Sequence, residues 1–261
     1  MSHLPEMNPT GRFTGLAGGY ARFRPSYPHE AVQHVLTRCG LAQGSLMVDV
    51  GAGTGISTRL FAAEGLRMVG IEPNPDMRAK AAAESAPAGA FLPEFREGRA
   101  EETGLSSGTV DAVLAAQAFH WFTADAALRE FHRILKPAGW VVLMGYERDE
   151  SDSFTAAFGA IFRSFPGTAA VEEPRARASQ ALFHSPLFEA AERAVFPWGQ
   201  EVDEEGLVGR AFSASYAPRE PEPAATFAAA LHELFARWQQ AGKVVLRYET
   251  AVCAARRRAS A

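Results

Sequence analysis

Strand-like and helix-like segments alternate without interruption from about Ala31 to about Met144. "SLMVDV" is an apolar run of strand length. "ISTRLFAAEG" follows, with Ile56, Leu60 and Phe61 on one helical face and Gly65 as a stop. "RMVGIE" reads as a second buried strand, "PDMRAKAAAES" as a helix, "EFREG" as a weak third strand and "VDAVLAAQAF" as a strong fourth. "ADAALREFHRIL" carries Leu128, Phe131 and Leu135 on one stripe and stops before Pro137; "WVVLMGY" is a fifth strand. Strict alternation requires crossover connections, and these build a parallel sheet covered by helices. Ligands of such sheets meet the carboxyl ends of the strands. That rule directs attention to the residues after Asp49, Ile71, Phe95, Ala115 and Met144.

Past Tyr146 the rhythm changes. "SDSFTAAFGAIFRSF" predicts an amphipathic helix, and "TFAAALHELFARWQQAG" a second. "AERAVFPWGQEV" and "KVVLRYETAVCAA" read as two late strands able to close the sheet's edge. A chain of 261 residues suits one domain over 1–261. Residues 1–30 and about 147–190 are expected to form a cap over the site. With 47% apolar residues and a net charge of -4, the chain has ample core material and no basic excess. It is expected to bind neither nucleic acid nor membrane. The closing "ARRRAS" reads as a solvated tail. The two cysteines, Cys39 and Cys253, lack metal-ligand spacing and are too few for a disulfide framework, so no metal is expected. "MSHLPEMNPT" has neither the basic start nor the apolar core of a signal peptide, and no apolar run is long enough for a bilayer. The expectation is a soluble cytoplasmic protein.

The first strand runs into "VDVGAGTGIST". Gly51, Gly53 and Gly55 form G-x-G-x-G, whereas the dinucleotide fingerprint needs its third glycine where Ile56 stands. The Lys-Ser/Thr pair of a phosphate loop is missing, the loop itself holds no Lys or Arg before Arg59, and Asp49 would repel a pyrophosphate. Bare backbone still permits a ligand's close approach. Glu72, at the end of the second strand, is placed to accept hydrogen bonds from both hydroxyls of a ribose. An acid before the glycines and a second acid for ribose suit a nucleoside carrying a positive group and an amino-acid tail. S-adenosylmethionine is such a compound. A nicotinamide-dependent oxidoreductase shares the sheet but is opposed by the glycine register and Asp49. A non-catalytic protein that binds S-adenosylmethionine would present the same binding residues.

"VDVGAGTG", "VGIEPNPDM", "GRAEETGL", "DAVLAAQAFHWF" and "ALREFHRILKPAGWVVLM" together resemble class I S-adenosylmethionine-dependent methyltransferases. The likeness is to the small-molecule branch (methyltransferase type 11) that includes ubiquinone/menaquinone and aconitate methyltransferases. It extends over about residues 12–147. The resemblance implies a Rossmann-like α/β fold: a doubly wound, mainly parallel seven-stranded sheet with an antiparallel final hairpin and a helical cap. It also implies a small-molecule methyl acceptor. Carried over, the cofactor positions are Asp49, Gly51, Ala52, Gly53, Glu72, Pro73, Met77, Ala100, Glu101, Gln117 and Ala118. In similar enzymes the N-terminal segment, here "YARFRPSYP", folds over the cofactor. Arg24 is then expected on the methionine carboxylate, with Tyr20 or Tyr27 near the sulfonium. After strand four, His120 is a candidate general base, and Trp121 and Phe122 are candidate walls of an acceptor pocket, as Tyr27 also is. In "KPAG", Ala138 stands where the family usually has a glycine.

Overall fold

The computed structural model describes residues 11, 14–15, 17–86, 88–165 and 179–259. The remainder of the expected cap segments, 1–10, 12–13, 16 and 166–178, lies outside the described residues. Two helices, α1 (Ala17–Phe23) and α2 (His29–Cys39), precede an alternating series. The series runs β1 (Leu46–Val50), α3 (Ile56–Ala63), β2 (Arg67–Ile71), α4 (Pro75–Ala83), β3 (Glu94–Arg96), β4 (Val110–Ala116), α5 (Ala124–Ile134) and β5 (Leu135–Arg148). Then follow α6 (Ser153–Arg163), α7 (Gln180–His184), β6 (Phe188–Val202), α8 (Glu204–Phe212), α9 (Pro221–Trp238) and β7 (Val244–Arg257).

The seven strands form one sheet in the order β3-β2-β1-β4-β5-β7-β6. β1 to β5 are parallel, and β7 runs antiparallel to both β5 and β6. This is the Rossmann-like sheet with an antiparallel closing pair that the sequence implied. Strand order reverses between β1 and β4, which leaves a crevice at their carboxyl ends. Register decides what meets there. Val50 pairs with Ile71, so Gly51 and Glu72 leave the sheet side by side. Ala116 pairs with Met144, so Gln117 emerges beside Gly145.

Apolar periodicity accounts for the helix faces, with one exception. In α5, Ala127, Leu128, Phe131 and Ile134 are all buried in the core under β4 and β5. In α3 the expected face of Ile56, Leu60 and Phe61 is rotated: Ser57, Thr58, Phe61 and Ala62 are buried, while Ile56 and Leu60 are half-buried. The cause is polar. Ser57 and Thr58 donate their hydroxyls to Asp49 Oδ2 at 2.6 and 2.7 Å, which holds them inward. A separate cluster joins α6, α8, α9 and the ends of β5 and β7, with Phe158, Phe162, Phe227 and Leu231 at its centre.

Ala138 adopts a left-handed φ of 62°. The neighbouring Gly139 is needed for space, since a Cβ there would stand 3.0 Å from the Asp111 and Lys136 carbonyl oxygens. Left-handed backbone costs a non-glycine residue on the order of 1 kcal/mol. Ala138→Gly is therefore expected to stabilise the protein by about 1 kcal/mol, read as a shift of the denaturation midpoint. An unchanged or lower midpoint would mean that the turn is not strained.

Candidate functional site

A cavity of about 630 Å³ opens at the carboxyl ends of β1, β2, β4 and β5. That volume suits a ligand of nucleoside size. One end is the turn after β1. Gly51 and Ala52 donate their N–H groups to the Ile71 carbonyl at 2.8 and 3.1 Å, which folds the chain back on β2. The glycines have different roles. Gly51 has φ 73°, and a Cβ on it would stand 2.6 Å from the Ala118 Cβ, so it allows two loops to pack. Gly53 has φ 56°, and a Cβ there would meet nothing within 4 Å, so its bare backbone faces open space.

Glu72 lies at the floor, with only 7% of its surface exposed. Its Oε2 accepts from the Gly53 N–H and its Oε1 from the Asn74 N–H, both at 2.8 Å. Burial pushes its carboxyl above the usual range, and those two N–H donors oppose the rise. Each oxygen keeps a lone pair for a further donor. Pro73, Met77 and Ala100 line the same end, with Met77 and Ala100 buried. The stretch from Gly98 to Glu102 is pinned from behind by Glu130. Its Oε1 accepts from the Thr103 N–H at 2.9 Å and hydroxyl at 2.6 Å, and Arg133 donates to both its oxygens. Burial would raise the Glu130 carboxyl, but the Arg133 and Thr103 donors outweigh it and bring it down to about 2. Glu101 lines the cavity and also accepts from the Thr123 N–H at 2.8 Å, at the start of α5.

The other end is aromatic and cationic. Tyr20 and Arg24, from α1 and the residue just past it, face Tyr27 and Tyr146. The Arg24 guanidinium lies 4.7 Å from the Tyr20 ring centroid and donates to the Tyr146 hydroxyl at 3.3 Å, while its Nε is sealed from water without an acceptor. Behind Tyr146, Arg210 of α8 is 5% exposed and donates from Nε to the Tyr248 hydroxyl at 3.1 Å. Among the described residues neither arginine has a carboxylate within 4 Å. Burying an unpaired cation costs several kcal/mol, whereas an aromatic face returns about 0.5–2 kcal/mol. Burial raises the phenol groups of Tyr20, Tyr27 and Tyr248, so they stay neutral and give these cations no counter-charge. Gln117 adopts a φ of 54°, held by its N–H on the Met144 carbonyl at 2.9 Å and its Nε2 on the Tyr146 carbonyl at 2.8 Å. Strained backbone of this kind persists where the surroundings over-determine it.

The structure brings together Tyr20, Arg24, Tyr27, Gly51, Ala52, Gly53, Glu72, Pro73, Met77, Ala100, Glu101, Gln117, Ala118, Trp121 and Phe122 around the one cavity. Two of the expected residues stand apart from its lining. Asp49 is fully buried behind α3, against Ser57 and Thr58, because β1 alternation turns it toward the helix. Ser57 itself lines the cavity, so the Asp49 charge lies one side chain away. His120 lines a smaller cavity of about 130 Å³ with Glu147, Arg193 and Cys253, because the short helix Phe119–Trp121 turns Trp121 toward the large cavity and His120 away. No described residue between 147 and 190 lines the large cavity. Sequence reasoning missed Tyr146, although it follows Met144 near a strand end; it missed Glu130, a polar position inside "ALREFHRILKPAGWVVLM", and Arg210, which lies on a helix with no motif around it.

Residues 48–143 match the family described as methyltransferase domain. An uncharacterized methyltransferase of Mycobacterium tuberculosis is 38% identical over 149 residues, which cover 57% of this chain and 58% of the mycobacterial protein. A putative type II methyltransferase from Anaeromyxobacter dehalogenans superposes with a TM-score of 0.62 at 21% identity, over 90% of this chain and 98% of that one. Phosphoethanolamine N-methyltransferase 2 of Haemonchus contortus, solved with phosphomonomethylethanolamine and S-adenosylhomocysteine, superposes with a TM-score of 0.53 at 17% identity, over 99% of this chain and 61% of that one. Over residues 48–143 the chain is thus similar to the methyltransferase domain family, and its sheet has the fold of these solved methyltransferases. The match spans less than two thirds of the mycobacterial relative's length. Among the described residues no helix is long and apolar enough to cross a membrane.

Proposed function

We propose that the protein transfers the methyl group of S-adenosylmethionine to a small-molecule nucleophile in the cytoplasm, and that residues 1–261 act as one catalytic domain capped by the N-terminal segment. The observation that carries this reading is the spacing of charge along one cavity. Glu72 stands at the glycine-loop end, and Arg24 with an aromatic wall stands at the other. When bound, the cofactor supplies an already activated sulfonium methyl. The residues of this chain have four tasks. Glu72 accepts the ribose hydroxyls. Met77 and Ala100 hold the base. Arg24 pairs with the methionine carboxylate. Trp121, Phe122 and Tyr146 exclude water and align the acceptor for in-line attack, where positioning is the larger share of catalysis.

No histidine among the described residues lines the cavity. A nucleophile that arrives without its proton needs none. His120→Ala is accordingly expected to change turnover by less than about threefold, since a general base contributes about 10²–10⁴. The assay follows labelled methyl from S-adenosylmethionine into a pool of metabolites. Loss of turnover on the 10²-fold scale with intact cofactor affinity would restore His120 as a base. Absence of transfer by wild-type protein that binds the cofactor would replace the enzyme reading with that of a binding protein.

A further inference from the structure

We propose that the methyl acceptor is an anion, carrying a carboxylate or phosphate group, and that Arg210 determines this specificity from behind the Tyr146 ring. The inference rests on the preceding reading of the cavity as a cofactor and acceptor site. Two guanidiniums, Arg24 and Arg210, gather on Tyr146, and no carboxylate of the described residues neutralises either. The Arg210 Cζ lies 5.9 Å from the Tyr146 ring centroid and 5.8 Å from that of Tyr248. Neutral phenols and ring faces offset only part of the desolvation of two cations. One counter-charge comes with the cofactor, whose methionine carboxylate suits Arg24. It leaves Arg210 unbalanced, and it adds a sulfonium and an ammonium nearby. Of the acid groups that line the cavity, Glu72, Glu101 and Glu102, none pairs with either guanidinium, and the Asp49 charge behind Ser57 is met by the cofactor's own sulfonium and ammonium. Glu72 holds the Gly53 and Asn74 N–H groups, and Glu101 holds the Thr123 N–H. A cationic acceptor would thus meet like charge, while an anionic one completes the balance.

The second observation concerns the proton. With His120 turned to the smaller cavity, no described imidazole faces the acceptor space. An acceptor whose nucleophilic atom is already deprotonated attacks without help. Its lone pair forms the bond to the methyl carbon, the carbon–sulfur bond breaks, and that electron pair stays on sulfur and neutralises the sulfonium. Field and nucleophile then favour the same chemical class.

The test uses the full chain saturated with S-adenosylhomocysteine. Succinate and glycerol phosphate are titrated in calorimetry against their uncharged counterparts, succinamide and glycerol, and against putrescine as a cation. At least one of the two anions is expected to bind at least about tenfold more tightly than its neutral counterpart, and putrescine not at all. Which anion binds separates a carboxylate from a phosphate handle. Arg210→Gln is expected to weaken that binding by about tenfold or more while the affinity for S-adenosylhomocysteine changes by less than about twofold. Tyr248→Phe, which frees the Arg210 Nε, should weaken anion binding in the same direction and serves where Arg210→Gln does not fold. Binding of neither anion, equal binding of neutral and charged probes, or anion binding indifferent to both substitutions overturns the proposal. Failure of S-adenosylhomocysteine itself to bind is seen before any anion is added and overturns the cofactor reading beneath it.

Discussion

Asp49→Asn protein should melt above wild type at pH 7–8 without ligand, and should bind S-adenosylmethionine more weakly. Asp49 is fully buried; its Oδ2 accepts two hydroxyls, and its Oδ1 is sealed from water with no donor. Burial pushes its carboxyl from 3.8 up to about 6, against the opposing Ser57 and Thr58 hydrogen bonds. The folded protein therefore binds this proton more tightly than the unfolded chain does. Its contribution to stability is complete below about pH 4 and is lost as pH rises through about 6. A shift of that size corresponds to at most about 3 kcal/mol at neutral pH. Asparagine removes the charge and keeps an oxygen for Ser57 and Thr58. The expected gain is about 1–3 kcal/mol, or roughly 3–10 °C for a chain of this length. The decline of stability between about pH 4 and 6 should flatten as well. The affinity should fall because the cofactor brings a sulfonium and an ammonium toward Ser57, and Asp49 supplies the field that meets them. A melting point no higher than wild type, with unchanged affinity, would reduce Asp49 to a helix anchor.

Glu72→Ala should remove about half or more of the stabilisation that S-adenosylhomocysteine gives. Ligand at about 100 times its dissociation constant adds about 2.7 kcal/mol to wild type. Hydrogen bonds to a charged group are worth about 1.5–3 kcal/mol, so losing the ribose acceptor weakens binding by about tenfold to over 100-fold. At the same ligand concentration, a tenfold loss leaves about 1.4 kcal/mol and a 100-fold loss about 0.4 kcal/mol. Glu72 also accepts the Gly53 and Asn74 N–H groups, so alanine loosens the loop as well as the ligand. Glu72→Gln keeps one carbonyl oxygen for the loop and serves as the control for shape. Wild-type stabilisation in Glu72→Ala would remove the carboxylate from the site.

The sheet was legible because its information is local. Apolar runs, punctuating glycines and the carboxyl-end rule identify β1 to β5 and the residues that leave them. The two late strands were equally plain from composition. Of the cofactor-end residues, Gly51, Gly53 and Glu72 carry a signal that spacing alone conveys. Asp49 was read as facing the ligand because its position before the glycines says nothing of which side of β1 it takes; the hydroxyls of Ser57 and Thr58 settle that, and they also rotate α3 away from its apolar pattern. His120 and Trp121 are adjacent in sequence, and only the short helix decides which of them turns to the large cavity. Arg210 lies more than 180 residues from Tyr20. It is brought beside Tyr146 by packing of α8, including the contact of Gly209 with the Phe23 ring, and long-range packing leaves no motif.

The most direct measurement is a crystal structure of the protein grown with S-adenosylhomocysteine. The ribose hydroxyls should donate to both oxygens of Glu72, the amino-acid carboxylate should rest on Arg24, and the sulfur should face Trp121 and Tyr146. A cavity without that nucleoside at saturating concentration, or a nucleoside bound with Glu72 still held only by Gly53 and Asn74, contradicts the account.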